Sequence, residues 1–226
     1  ALTLSLSGGK ICENGKALLD TREMRMQTDT GIANLMTAYA LCAGWATPED
    51  LYRVATTFGG LPHRMEFVGE AAGCRYYNSS ADTSPARTVA TLGGLHGRAS
   101  VILGGRGKNL SYAPLGPVLA DRAETVVLCG ENAPQIASAL SDCPEFVRAG
   151  IPVRCATEPT EALRLATEGA ALSGTVILSP ASTAFDAFRD FTERGDRFRQ
   201  AVRELSEKGK KQEITKKFPI KSDTNR

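Results

Sequence analysis

The chain has 226 residues and a mass of 24.0 kDa, with 42% hydrophobic and 23% charged residues, a composition that builds one large or two small cores and excludes a wholly disordered or collagen-like chain. No apolar run approaches the roughly 20 residues of a membrane-spanning helix, and the opening ALTLSLSGG has neither the basic region nor the apolar stretch of a secretion signal. The formal charge of +2 conceals a split: residues 207–226 hold seven Lys/Arg and three acids, and the remainder is net −2, so the body offers no basic face for a nucleic acid.

In chain order, residues 1–27 read as a piece of sheet. Leu2, Leu4 and Leu6 alternate with polar residues, and Glu13-Asn14-Gly15-Lys16 is a turn between short strands. The segment cannot bury itself alone, and its start at Ala1 rather than Met leads us to expect more chain upstream. Gly31–Ala43 has helical spacing, with Leu35, Ala38, Leu41 and Cys42 on one face. Thr47-Pro48-Glu49-Asp50 then starts a second helix with a capping Thr, Pro at the first helical position and acids in the first turn. It ends at Phe58-Gly59-Gly60, and Leu61-Pro62 reads as a domain linker.

Beyond residue 61 strands alternate with helices. Met65–Glu70 and Cys74–Asn78 form a hairpin around Ala71-Ala72-Gly73, and Ser84–Leu95 is a helix. Strands follow at Val101–Leu103, Thr125–Cys129, Val153–Ala156 and Thr175–Leu178. Between them lie helices at Leu115–Ala120, Asn132–Leu140 and Thr160–Glu168, and helical pattern runs from Phe185 to about Glu207. Short apolar strands separated by amphipathic helices predict an α/β fold, a mostly parallel sheet with helices on both faces. The basic segment 207–226 is read as a flexible tail, either a solvated terminus or an electrostatic tether.

Ligands of such sheets bind at the carboxyl ends of the strands, where three loops have suitable chemistry. The turn Gly104-Gly105-Arg106-Gly107-Lys108 is either a tight turn or an anion-binding one, with backbone N–H groups and the Lys108 charge directed at a carboxylate or phosphate. It is neither a phosphate-binding P-loop, since Ile102 and Asn109 occupy required positions, nor a dinucleotide fingerprint, since Leu110 stands where Gly is needed. Ser79, Ser80 and Thr83 precede a helix; one hydroxyl suffices for capping, which leaves others for a ligand. Ser179-Pro180-Ala181-Ser182-Thr183 admits the same two readings. Arg64 at the junction is a solvated side chain or a phosphate ligand, and His63 a hydrogen-bonded hinge residue. Phe185, Phe188 and Phe191 are expected in the core, and the charged set from Arg189 to Arg203 on a solvated face. The six cysteines form no CxxC pair and lie mostly in apolar runs, and neither His63 nor His96 has metal-ligand spacing, so free thiols, a reducing cytoplasm and no metal site are expected.

Three segments in series carry a resemblance. Gly60-Leu61-Pro62-His63-Arg64-Met65-Glu66-Phe67, the Gly-Gly-x-Gly-Lys turn, and Leu178-Ser179-Pro180-Ala181-Ser182 followed by Phe185-Asp186, Phe188, Phe191 and Glu193-Arg194-Gly195-Asp196-Arg197-Phe198 resemble the Mur ligases over residues about 30–205, most closely those that add D-glutamate to UDP-N-acetylmuramoyl-L-alanine in peptidoglycan synthesis. The resemblance implies that residues 1–60 end a central ATPase domain and that residues 61–206 are a C-terminal Rossmann-like ligase domain, with an N-terminal UDP-substrate domain further upstream. It implies ATP and magnesium as cofactors, used to phosphorylate the precursor's carboxylate before the D-glutamate amine attacks. The family's P-loop, magnesium carboxylate and modified lysine belong upstream, so these residues alone are expected to contain no catalytic residue and not to hydrolyse ATP. By position, Lys108, Thr83, Ser80, Thr183 and Phe191 would contact D-glutamate, and Arg64 would reach ATP after domain closure.

The chain also departs from the family pattern. Ser79-Ser80-Ala81 replaces a usual Asp-Ser-Lys, Ala184 stands where a glutamate-binding Ser is common, and Thr30-Gly31 replaces a His-Asn pair near adenine. Two further readings follow from these changes: a related ligase for another amino acid, or a non-catalytic binding module derived from a ligase.

Overall fold

The computed structural model describes residues 2–26 and 29–217; the last part of the basic segment lies outside them. The chain divides into two compact units, Ala1–Leu61 and Pro62–Arg226.

The first unit is an antiparallel meander of β1 (Leu4–Ser7), β2 (Lys10–Glu13) and β3 (Lys16–Asp20), followed by helices α1 (Asp29–Leu41) and α2 (Pro48–Thr57). Asn14 and Gly15 both have positive φ, the conformation that a two-residue hairpin turn requires. At α2 the expected capping box is present: Thr47 accepts from the Asp50 N–H, and the Asp50 carboxylate accepts from the Thr47 N–H. The expected face of α1 is corrected. Ile32 and Tyr39 are buried with Leu35 partly so, while Ala38, Leu41 and Cys42 are exposed. Ile32, Leu35 and Met36 meet Ile11, Leu19, Met24 and Ala55, so the helix is rotated relative to the face of Leu35, Ala38, Leu41 and Cys42.

The second unit is a six-stranded sheet of β4 (Glu66–Ala71), β5 (Cys74–Asn78), β6 (Ala99–Leu103), β7 (Ala123–Cys129), β8 (Val153–Ala156) and β9 (Thr175–Leu178), in the order β4-β5-β9-β6-β7-β8. Only β4 runs antiparallel to its neighbour; the other pairings are parallel, as the sequence pattern predicts. Alternate residues of each buried strand face opposite layers. Val101, Leu103, Val126, Leu128 and Ile177 pack under α3 (Pro85–Gly93), α4 (Leu115–Arg122), α5 (Ala133–Ser141) and α6 (Pro144–Ala149). Ile102, Val127, Val176 and Leu178 pack against α7 (Pro159–Gly169) and α8 (Phe191–Lys217).

Several expectations change here. Helix α6 is absent from the sequence reading because its six residues are too few to display a period. Helix α8 begins at Phe191 rather than Phe185, where Asp190 accepts a hydrogen bond from the Glu193 N–H as a cap, and it continues past Glu207 to Lys217. The loop before α8 consequently leaves Phe185 58% and Phe191 40% exposed rather than in the core. All six cysteines are free, but Cys42, within an apolar run, is exposed along with Cys155. Among the described residues no helix is long and apolar enough to cross a membrane.

Candidate functional site

The strand order decides where the site is. β5, β9 and β6 are adjacent and parallel, so the loops that follow Asn78, Leu178 and Leu103 emerge side by side at one edge of the sheet. These are the three loops with ligand-binding chemistry, and hydrogen bonds join them.

Arg106 and Thr183 exchange backbone N–H···O bonds of 3.0 Å each, and the Thr183 hydroxyl donates to the Arg106 carbonyl at 2.8 Å. The Gly104 N–H donates to the Pro180 carbonyl at 2.9 Å. Two N–H groups of the glycine turn are therefore engaged by protein carbonyls, not presented to an anion. Close approach explains the glycine at position 105: its φ is +138°, and a Cβ there would lie 2.1 Å from the Thr183 carbonyl oxygen. Beneath the turn, the buried Asn132 amide donates to the Tyr112 and Ser182 hydroxyls, while the Asn132 N–H donates to the Gly105 carbonyl.

On the other side, Ser80 is fully buried and donates its hydroxyl proton to the Phe191 carbonyl at 2.7 Å. Asn78 accepts from the Ser80 N–H through Oδ1, and its amide nitrogen faces His63 Nδ1 at 3.0 Å and the Glu66 carboxylate at 3.1 Å. With Nδ1 accepting, the His63 ring proton sits on Nε2, 3.9 Å from Asp196. His63 is buried at φ +62° and stands edge-on to Phe191, with ring centroids 6.0 Å apart. It is a hydrogen-bonded anchor, which fixes the backbone beside the exposed Arg64.

The expected solvated face of α8 fails at one residue. Arg194 is only 6% exposed, and its guanidinium donates 3.0 Å bonds to Ser80 Oγ, the Ser80 carbonyl, the Ser182 carbonyl and the Thr183 carbonyl. Burial lowers its pKa to about 10, against the opposing influence of the Asp186 and Asp82 carboxylates. Helical spacing sets Arg194 on the face of the buried Phe198 and Val202, four and eight residues on, and turns Arg197 away from it; which groups the guanidinium bonds is decided by the packing of α8 over the loops.

The side chains named from sequence thus fall into two groups. Ser80 and Thr183 are buried, with their hydroxyl protons donated within the protein. Arg64 and Lys108 are exposed and Thr83 is half-buried, and among the described residues none of the three has a side-chain hydrogen-bond or ion-pair partner. Ala81 and Ala184 are both buried, lining the same loops without a polar group. The described residues contain no group of three or more His, Cys, Asp or Glu that could hold a metal ion.

A mostly parallel sheet covered on both faces, with polar loops at the carboxyl ends of its strands, defines the class as a Rossmann-like α/β domain. The family profile described as "Mur ligase, glutamate ligase domain" matches residues 63–182, and the chain belongs to the Mur ligase family. It is similar to UDP-N-acetylmuramoylalanine–D-glutamate ligases: 39% identical over 176 residues to that of Acetivibrio thermocellus, 40% over 176 to that of Symbiobacterium thermophilum, and 30% over 200 to that of Clostridium botulinum. Those alignments cover 77%, 76% and 88% of this chain but 38%, 37% and 44% of the relatives, so the chain spans about two fifths of their length. In fold it is similar to folylpolyglutamate synthase of Mycobacterium tuberculosis in complex with ADP (TM-score 0.56, 16% identity, 88% of this chain and 46% of that one). The Thermotoga maritima folylpolyglutamate synthase gives a TM-score of 0.54 at 13% identity, over 92% of this chain and 47% of that one.

Proposed function

We propose that this chain is the amino-acid-binding part of an ATP-dependent ligase that adds D-glutamate to UDP-N-acetylmuramoyl-L-alanine in peptidoglycan synthesis. The observation that supports this most directly is the pair of unengaged donors, Lys108 and Thr83, on loops that the sheet brings to one edge beside the exposed ring of Phe191. An ammonium and a hydroxyl with no protein partner are complementary to a carboxylate, and Phe191 supplies an apolar wall for the ligand's methylenes. Ser80 and Thr183 act in this reading by holding the loops, because their single hydroxyl protons are already donated. Arg64, an exposed cation without a partner, takes an ATP phosphate oxygen when the parts of the enzyme close.

ATP supplies the activation of the precursor's carboxylate, and magnesium and the phosphate-binding loop are contributed by the rest of the enzyme. This chain's part is orientation: one carboxylate of the incoming amino acid is fixed so that its amine faces the activated carbonyl, and closure excludes water from it. The buried Ala81 and Ala184, where the family commonly has Lys and Ser, favour a second reading, a ligase of the same kind for another amino acid. An amino-acid screen of the protein at the full length of its relatives, with UDP-N-acetylmuramoyl-L-alanine and ATP, tests both. D-Glutamate-dependent ADP release with no response to L-glutamate is the expected result; turnover only with a different amino acid selects the second reading, and no turnover with any overturns the first.

A further inference from the structure

Arg194 sits in the first turns of α8, where neighbouring Arg197 and Gln200 are exposed, yet its own side chain is enclosed by three loops. None of its four hydrogen bonds goes to a carboxylate: the acceptors are three backbone carbonyls and one hydroxyl. Asp82 and Asp186 act on it only through space. A buried cation without a bonded counter-ion is a poor device for stability, since an apolar residue of the same volume would avoid its desolvation. What an apolar residue cannot supply is a rigid, planar fork of N–H donors in fixed directions.

Those directions join the site. Nε and Nη2 hold Ser80 in the loop after β5, while Nη1 and Nη2 hold Thr183 and Ser182 in the loop after β9. Thr183 is paired in turn with Arg106, two residues before Lys108, in the loop after β6. A Cβ at Gly105 would come within 3.0 Å of Arg194 Nη1, so the third loop packs directly on the guanidinium. We propose that Arg194 is a positioning residue whose guanidinium sets the separation of the three loops, so that Thr83 and Lys108 converge on a single carboxylate ligand. The inference rests on the amino-acid-binding reading above and adds the element that makes the rim geometry definite.

The test compares Arg194→Lys and Arg194→Met with the parent, in the protein at the full length of its relatives. Lysine keeps the charge but presents all its donors from one atom and cannot span both loops. Methionine keeps the approximate length and removes the donors together with the buried charge. Both variants are expected to raise KM for the amino acid roughly 10–100-fold, as Thr83 and Lys108 cease to converge on its carboxylate, and to lower kcat as the amine is no longer aimed, with KM for ATP little changed. Amide hydrogen exchange, followed in parallel, is expected to accelerate at residues 79–83, 104–108 and 179–184 and to stay unchanged in β6 and β7. Unchanged loop exchange overturns the proposal whatever the kinetics show. So does acceleration spread equally into β6 and β7, or a parallel rise in both KM values, since either marks general weakening. If the loops loosen as expected but the parent never uses D-glutamate, the clamp stands and the D-glutamate reading falls.

Discussion

The edge of the sheet where the three loops meet has two layers that use polar groups in opposite ways. In the lower layer, Ser80, Ser182, Thr183, Asn132 and Arg194 are buried and bonded to one another or to backbone carbonyls. In the upper layer, the side chains of Lys108 and Thr83 have no hydrogen-bond or ion-pair partner among the described residues, and Phe191 leaves 40% of its surface exposed. Each layer holds a threonine and a cation, so residue type alone does not separate support from recognition. What separates them is whether a donor's proton is already in use. A lower layer with its donors engaged is rigid, and a rigid support lets a few unengaged donors above it select a ligand at small entropic cost.

The largest expected effect comes from forcing the lower layer apart. In Gly105→Ala the new Cβ meets the Thr183 carbonyl oxygen at 2.1 Å, at a φ that L-residues avoid. Strain and displacement together should destabilise the second unit by about 3 kcal/mol or more, read by urea unfolding. A loss below about 1 kcal/mol would mean that the loops separate easily and that the lower layer is not rigid. Next is Lys108→Ala in the upper layer. Removing a charge-assisted contact should weaken D-glutamate binding roughly tenfold or more by calorimetry and abolish the preference over L-glutamate. Because Lys108 is exposed and unpartnered, stability should move by no more than about 0.5 kcal/mol. Equal loss of stability and affinity would erase the distinction between the layers.

The sequence conveyed the fold well where local and global signals agree. The buried strands alternate between two apolar layers, as in Val101, Ile102 and Leu103, and helices such as α2 begin with explicit capping chemistry. It failed where local pattern is silent or ambiguous. Helix α6 is shorter than two periods, and α1 carries two apolar spacings, one of which runs through Leu41, 82% exposed. At the site, the motifs marked the three loops, and parallel pairing explains their juxtaposition. Which hydroxyls face a ligand could not be read from order and spacing, because Ser80 and Thr83 differ only by which partner another loop brings. The face of Arg194 was legible, four and eight residues before the buried Phe198 and Val202, but its role was hidden for the same reason: its partners are 114, 12 and 11 residues away in sequence.

Ser80→Ala probes that hidden layer with a medium effect. The change removes the acceptor of Arg194 Nε and the donor to the Phe191 carbonyl, both within a buried network. It should cost about 1–3 kcal/mol of stability, the penalty of leaving a buried charged donor without a partner. Thermal unfolding of the variant against the parent chain measures it, with weaker D-glutamate binding as a secondary consequence. Unchanged stability with a large loss of affinity would instead make Ser80 a direct ligand contact.

The smallest effects make the sharpest comparison, because one substitution can be applied to both layers. Thr183→Val and Thr83→Val each replace a hydroxyl by a methyl group of similar volume. At Thr183 the hydroxyl donates to the Arg106 carbonyl at 2.8 Å, and that carbonyl keeps a second donor, the Thr183 N–H. The loss should therefore be only about 0.5–1.5 kcal/mol of stability, with KM for the amino acid changed by less than about threefold, since the backbone pairing still holds the loop. At Thr83 the half-buried hydroxyl has no protein partner to lose. Stability should stay within about 0.5 kcal/mol, while KM rises about 3–10-fold, as for the loss of one neutral hydrogen bond to the ligand. The two variants should thus move opposite observables. If both changed stability alone, Thr83 would belong to the support and Lys108 would be left as the sole recognition group; if both changed KM alone, the pairing of Arg106 with Thr183 would open when the amino acid binds.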